Sequence, residues 1–250
     1  MRDGFPHTDV KALLSVEDVS KRFGGITALN KLSLSLAENE ILGVIGPNGS
    51  GKSTLINLIS GVYRPSEGRI IFNGKDLSKL KTWEITRQGV VRTFQIPSVF
   101  KDFTVLENVV FPVCFTTGLT MSKAIESARE MLSTHRLDGG RKTSELTLFE
   151  ERKVELLRAL LLKPRLLMID EALSGLTAQE AAELCELIVG NAVEHRFSVV
   201  WVEHRVKELT RHVGRMIVLN YGNKLAEGSP EEVVRSKEVV EAYIGGEVVF

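Results

Sequence analysis

Gly46-Pro47-Asn48-Gly49-Ser50-Gly51-Lys52-Ser53-Thr54 follows the apolar run Ile41 to Ile45 and opens a helical pattern from Ser53 to Ser60. The stretch has GxxxxGK[ST] spacing between a strand and a helix, the context in which that spacing makes a phosphate-binding loop. Glycines let the backbone curl so that its N–H groups face phosphate oxygens, and the helix N-terminus adds positive potential. Lys52 is placed to reach the β- and γ-phosphates of a nucleoside triphosphate, and the Ser53 hydroxyl to join a Mg²⁺ shell. The bland alternative, a chance glycine-rich turn before a helix, is disfavoured because spacing and context agree.

Outward from this loop, Leu13 to Phe23 reads as a strand. Leu32, Leu34 and Leu36 alternate with Ser33 and Ser35 at the period of a half-buried strand. Ile41 to Ile45 suits a central strand buried on both faces. Gly61 is positioned to close the helix after Ser60, and Arg69 to Phe72 reads as a strand ending in the Asn73-Gly74 turn signal. From about Lys101 to Glu150 helical stretches such as Ser122 to Thr134 replace strands, which predicts a helical subdomain inserted into the core. Beyond it, Leu166–Ile169, Ala178–Glu194, Ser198–Val202, Val206–His212 and Met216–Leu219 alternate strand with helix, the mark of a parallel sheet covered by helices. Ser229-Pro230-Glu231-Glu232 combines a Ser N-cap, a Pro at the first helical position and a Glu three residues on.

The chain has 250 residues, enough for one large domain, expected over residues 12–250 with a polar extension at residues 1–11. A hydrophobic share of 43% supplies a packed core without disulfides or a structural metal. Thirty-two basic residues balance thirty-two acidic ones, which argues against a dedicated nucleic-acid binder. Cys114 and Cys185 lie far apart outside any CxxC pair, as idle thiols in a reducing compartment do. The N-terminus, with Asp3, Pro6 and Asp9, is no signal peptide, and no apolar run approaches the roughly 20 residues of a membrane span. Membrane association is therefore expected only through a partner, with the chain itself cytosolic.

Leu166-Leu167-Met168-Ile169-Asp170-Glu171 is an apolar strand ending in two carboxylates. Asp170 suits the metal, directly or through water, and Glu171 is placed to take a proton from an attacking water. Acidic pairs after strands are common, and the pair gains its meaning from the phosphate loop upstream. The order of phosphate loop, Gln95 in Arg92-Thr93-Phe94-Gln95, helical insert, Asp170-Glu171 and His204 in Val202-Glu203-His204 resembles the ABC transporter ATPases over nearly the whole chain. The resemblance implies a P-loop NTPase α/β core with a mostly parallel sheet, an N-terminal antiparallel β portion and the inserted helical subdomain. It implies ATP and Mg²⁺ as ligands, Gln95 at the metal and water, and His204 at the γ-phosphate organising Glu171. Phe23 matches the position that stacks on adenine. Arg22 to Leu29, Arg92 to Gln95, Thr104 to Val109 and Gly222 to Pro230 look like the branched-chain amino-acid importer group, whose stretches importers for amides or urea share.

Two segments depart from the family. Its LSGGQ signature reads Leu146-Thr147-Leu148-Phe149-Glu150 here. Thr147 with Glu150 makes a capping box and Thr147 can still donate a hydroxyl to a partner's γ-phosphate, so Thr147 is a candidate nucleotide contact. Leu148 and Phe149 place bulk where glycines allow close backbone approach, and Glu150 adds negative charge. Ser174-Gly175-Leu176-Thr177 ends in Thr where the family has Asp, and Ala172 replaces a proline. These departures suggest an asymmetric dimer with a second ABC ATPase subunit, a different chain or another copy. Transmembrane permease subunits and, indirectly, an extracytoplasmic solute-binding protein complete the expected assembly. A GTPase would need Asn-Lys-x-Asp downstream, whereas Asn30-Lys31-Leu32-Ser33 lies upstream and lacks the aspartate. A soluble ABC ATPase without membrane partner would carry tandem ATPase domains or a long coiled coil. A module that grips ATP without turnover is disfavoured by intact Lys52, Asp170, Glu171 and His204.

Overall fold

In the computed structural model, residues 12–244 are described, and the expected extension at residues 1–11 lies outside them. β1 (Leu14–Phe23) and β2 (Ile26–Leu36) form an antiparallel pair whose register runs from Leu14 opposite Leu36 to Phe23 opposite Ile26. The leucines that alternate along β2 are buried while Ser33 and Ser35 face out. β3 (Ile41–Ile45) leads through the glycine-rich loop into α1 (Lys52–Ile59), which Ser60 and then Gly61, at a φ of 73°, bring to an end. β4 (Glu67–Phe72) and β5 (Lys75–Asp76) form a hairpin across Asn73-Gly74, both at positive φ, the geometry this dipeptide favours. α2 (Thr82–Arg87) and β6 (Val90–Arg92) follow. Neither was read from the sequence, since three residues of strand are too few to show a period.

α3 (Val105–Thr116), α4 (Met121–Thr134) and α5 (Leu148–Leu161) come next and pack against one another. β7 (Leu166–Asp170), α6 (Ala178–His195), β8 (Ser198–Val202), α7 (Val206–Thr210) and β9 (Arg215–Asn220) alternate as strand and helix. β10 (Asn223–Gly228), α8 (Pro230–Arg235) and α9 (Lys237–Ile244) close the described chain. The Ser229 N-cap and Glu232 form the capping box that the sequence predicts. No helix among the described residues is long and apolar enough to cross a membrane.

Two sheets result. β2-β1-β4-β5 is antiparallel, and β10-β9-β3-β8-β7-β6 is parallel except for β10. Period-2 alternation sends the two faces of the parallel sheet into two cores. Leu42, Val44, Met168, Val200 and Val202 pack with α1 and the antiparallel sheet. Ile45, Leu167, Ile169, Val199 and Trp201 pack under the later helices. Within the sheet β3, β8, β7 and β6 are consecutive neighbours, so their carboxyl ends lie side by side at one rim, the edge where open α/β sheets place ligands. That strand order decides which side chains meet.

Candidate active site

The loop after β3 is held by backbone bonds, one within it and one from the turn after β9. The Ser50 N–H donates to the Pro47 carbonyl at 3.1 Å, and the Ser50 carbonyl accepts from Gly222 N–H at 3.0 Å. Gly51 sits at a φ of 108° with room for no side chain, because a Cβ would lie 2.6 Å from Leu29 Cδ2 and 2.7 Å from the Ala28 carbonyl. A glycine is required there by both backbone and space. Pro47 is half-buried, Asn48, Gly49 and Ser53 are exposed, and Thr54 is half-buried in the first turn of α1. Lys52 is buried and donates from Nζ to the carbonyls of Gly46 at 2.7 Å and Pro47 at 3.1 Å. Burial lowers its pKa, partly offset by the charges of Glu171 and Asp170. The Ser50 hydroxyl is buried with no hydrogen-bond partner.

β7 delivers the carboxylates. Asp170 Oδ2 lies 3.8 Å from Arg92 Nη2 at the end of β6, while Oδ1 is buried without a partner. Burial raises the Asp170 pKa, against the pull of Arg92. Glu171 departs from strand geometry at a φ of 50°, and its N–H donates to the Val202 carbonyl at 2.9 Å. A left-handed backbone is costly for a residue with a Cβ, and such strain gathers at functional sites. One Glu171 oxygen accepts from Gln95 Nε2 at 2.8 Å and the other lies 2.5 Å from His204 Nε2. Gln95, Glu171 and His204, spread over 110 residues of sequence, thus meet in one group beside Lys52, Gln95 through a hydrogen bond and His204 through a close side-chain contact.

The other expected residues lie apart from that group. Phe23 has Tyr63 as its ring partner, edge-on with centroids 5.1 Å apart, and the Lys21 ammonium 5.0 Å from its ring. Thr147 caps α5, accepting from the Glu150 N–H at 3.2 Å, and Glu150 returns a bond to the Thr147 N–H at 2.8 Å. Arg141 holds the Glu150 carboxylate at 2.6 Å, so its charge is drawn aside into an ion pair. Leu148 leans on Gly175, where a Cβ would approach its Cδ2 to 2.8 Å. The Phe149 ring carries the Lys153 ammonium at 5.3 Å. Thr177 and Glu180 likewise form a capping box at the start of α6.

Sequence reading missed three supports of this site. Arg92 donates to Asn57 Oδ1 at 2.7 Å, stacks 4.6 Å over the Phe94 ring and faces Asp170. On α5, Glu155 accepts from the amides of Phe94 and Ser98 at 3.1 and 3.2 Å, Arg158 donates to the Ser98 carbonyl, and Arg152 to the carbonyls of Phe94 and Gln95. The i, i+3, i+6 spacing of these charges, which sets them on one helical face, was the available signal. Glu203 is buried, and its Oε1 accepts from the Leu173 N–H at 3.0 Å and from Trp201 Nε1 at 3.4 Å. Burial pushes its pKa up to about 7. Its signal was an acid on the same alternation as the apolar Val199 and Trp201.

A family model described as ABC transporter matches residues 29–174, and one described as Branched-chain amino acid ATP-binding cassette transporter matches residues 223–249. The chain is 36% identical over 249 residues to the High-affinity branched-chain amino acid transport ATP-binding protein LivG of Salmonella typhimurium, covering 93% of this chain and 98% of that one. It is 34% identical to the corresponding protein BraF of Pseudomonas aeruginosa, covering 94% and 98%. A solved ATP-binding cassette of an ABC transporter in its ADP conformation superposes with a TM-score of 0.85 at 30% identity, covering 94% of this chain and 99% of that one. The same fold, the same motif order and this end-to-end likeness lead to one conclusion: the chain belongs to the ABC transporter family, as one of its ATP-hydrolysing subunits.

Proposed function

We propose that this chain binds ATP with Mg²⁺ at the rim of β3, β8, β7 and β6 and hydrolyses it with Glu171 as the general base. The observation that carries the reading is the Glu171 carboxylate, hydrogen-bonded on one side to Gln95 and facing His204 Nε2 at 2.5 Å on the other. In ATP + H₂O → ADP + phosphate, the N–H groups of the loop from Gly46 to Thr54 (Pro47 has none) and the Lys52 ammonium bind the phosphates, Lys52 exchanging the carbonyls of Gly46 and Pro47 for phosphate oxygens. The unpartnered buried Asp170 Oδ1 fits a hard cation, and Asp170, the Ser53 hydroxyl and Gln95 are the oxygen donors that would hold Mg²⁺. When bound, the ion neutralises charge on the transferring phosphoryl group. Glu171 accepts the proton of the attacking water. His204 orients that carboxylate and donates to the γ-phosphate, and Gln95 positions the water. Phe23 is assigned to the adenine ring and Thr147 to the γ-phosphate of the partner's ATP.

The test is Glu171→Gln in the assembled complex. It should cut turnover by about 10²–10⁴-fold while ATP binding persists. Turnover within a few-fold of wild type sinks the assignment.

The work driven is uptake of a small polar solute, branched-chain or other amino acids, which the names of the relatives and the match over residues 223–249 support. The chain works as a cytoplasmic dimer with a second ABC ATPase subunit, a different chain or a second copy, on the inner face of the cell membrane. An extracytoplasmic solute-binding protein delivers the cargo to the permease subunits. Those subunits dock near the segment after Gln95, where Phe100, Phe103, Phe111 and Phe115 form a chain of ring contacts 5.0–5.8 Å apart and Ile96 and Phe115 stand well exposed. The two ATP sites are unequal: the one completed by Leu146 to Glu150 meets Leu148 and Phe149 instead of glycines and hydrolyses poorly. Glu171→Gln here and its equivalent in the partner should then cost unequal shares of the ATPase rate. Equal shares count against the asymmetry.

A further inference from the structure

We propose that Glu203 is a positioning residue that sets the Glu171–His204 pair by fastening the loop leaving β7 to the end of β8. The inference rests on the reading of Glu171 and His204 given above. Glu171 and His204 stand on separate chain segments, and nothing in their own backbones fixes both at a separation of 2.5 Å. Beyond the β7–β8 ladder and the Glu171–His204 contact itself, two bonds join the segments at this rim. One is the Glu171 N–H to the Val202 carbonyl, which fixes the base's backbone but not the course of the chain beyond it. The other is the Leu173 N–H to Glu203 Oε1, made two residues after the base by the side chain that directly precedes the histidine.

Glu203 is itself held through both its backbone and its side chain. The Glu203 N–H donates to the Val44 carbonyl of β3, Trp201 Nε1 meets the same Oε1, and the residue is only 2% exposed. Trp201 is fully buried, so the indole is a fixed post rather than a flexible neighbour. The segment tied down is the one that carries Leu173 to Leu176 onward to the Thr177 cap of α6. With the Leu173 amide released, a single backbone bond, Glu171 N–H to the Val202 carbonyl, would tie the base to the β8 segment. The Ser174 N–H to Glu171 carbonyl bond stays within its own loop, so the strained φ could relax away from His204. Because one oxygen accepts both hydrogen bonds, a glutamine can reproduce them, whereas an aspartate, a methylene shorter, cannot reach.

Glu203→Ala, Glu203→Gln and Glu203→Asp are compared with Glu171→Gln for steady-state ATP hydrolysis by the assembled complex and for ATP binding by the full chain. Glu203→Ala should lower kcat by about 10–100-fold, the scale of a small misplacement of a catalytic group. KM for ATP should stay within about twofold, since Glu203 touches no part of the phosphate loop in this structure. Glu203→Gln should recover kcat to within about threefold of wild type and Glu203→Asp should not. A Glu203→Ala kcat within twofold of wild type, or equal kcat values for Gln and Asp, overturns the inference. The Gln–Asp comparison alone decides should the alanine variant not fold. If Glu171→Gln leaves turnover intact, the assignment of the base has failed. If it abolishes turnover while Glu203→Ala does not, only the role of Glu203 has.

Discussion

At the scale of single residues, Glu203 holds a carboxyl in a place where its charge is disfavoured by burial, with a pKa near 7. A carboxyl whose folded pKa lies above its unfolded value favours the native state below about pH 4.5, and that contribution is lost as pH rises to 7. Glu203→Gln removes the titration, so it should stabilise the fold above pH 7 by on the order of 2–3 kcal/mol and do nothing of the kind near pH 4.5. Thermal melts of both proteins at pH 5 and pH 8 check the sign. A gain at pH 5 as large as at pH 8 contradicts it. The same residue shows a limit of sequence reading. The period of two along β8 puts Glu203 on the face of Val199 and Trp201, but it takes the Leu173 amide, thirty residues away in sequence, together with the Trp201 indole to explain why an acid is tolerated there. Lys52 and Asp170 were legible because their spacing to glycines and to a strand end is local, whereas Arg92 was not, since its partners Asn57 and Asp170 come from two other elements.

Among the elements, α5 does more than its propensity indicates. Its N-terminus survives the altered signature because Thr147 and Glu150 complete a capping box, as the sequence predicts. What the sequence did not reveal is that the following two turns grip the Gln95 loop through Arg152, Glu155 and Arg158. Glu155 is buried, and burial raises its pKa despite the amides and guanidinium groups around it. Glu155→Ala would leave Arg152 and Arg158 without their carboxylate and two amides without an acceptor. We expect a loss of about 3–5 kcal/mol in urea unfolding, the scale for breaking a buried pair by removing one partner. Glu155→Gln, which can still accept from both amides, should lose less. β6 went unread because it is three residues long, yet as the edge strand beside β7 it sets where Gln95 begins.

For the whole molecule, the parallel sheet was legible as alternating strand and helix, and its two cores follow from period-2 burial. The order β3-β8-β7-β6 was not, because pairing β3 with β8 joins residues about 160 positions apart and nothing local encodes it. That order is nevertheless what turns four separate motifs into one group of side chains. The aromatic surface on α3 belongs to this scale as well, since it concerns a partner. Replacing Phe111 and Phe115 together with serine should leave ATP binding by the isolated chain within about twofold, because neither ring approaches the phosphate loop in the contacts described, while co-purification with apolar membrane subunits falls by about tenfold or more. Unchanged co-purification would place the docking surface elsewhere.

The grip of α5 on residues 94–98 has a consequence for local unfolding. The amides of Phe94 and Ser98 end on a carboxylate of that helix, so they cannot open to solvent unless Glu155 lets go. In hydrogen exchange this stretch, irregular in backbone, should share the protection of α5 and lose it at the same denaturant concentration as that helix. The loop that carries Gln95 is, by its opening free energy, a part of α5.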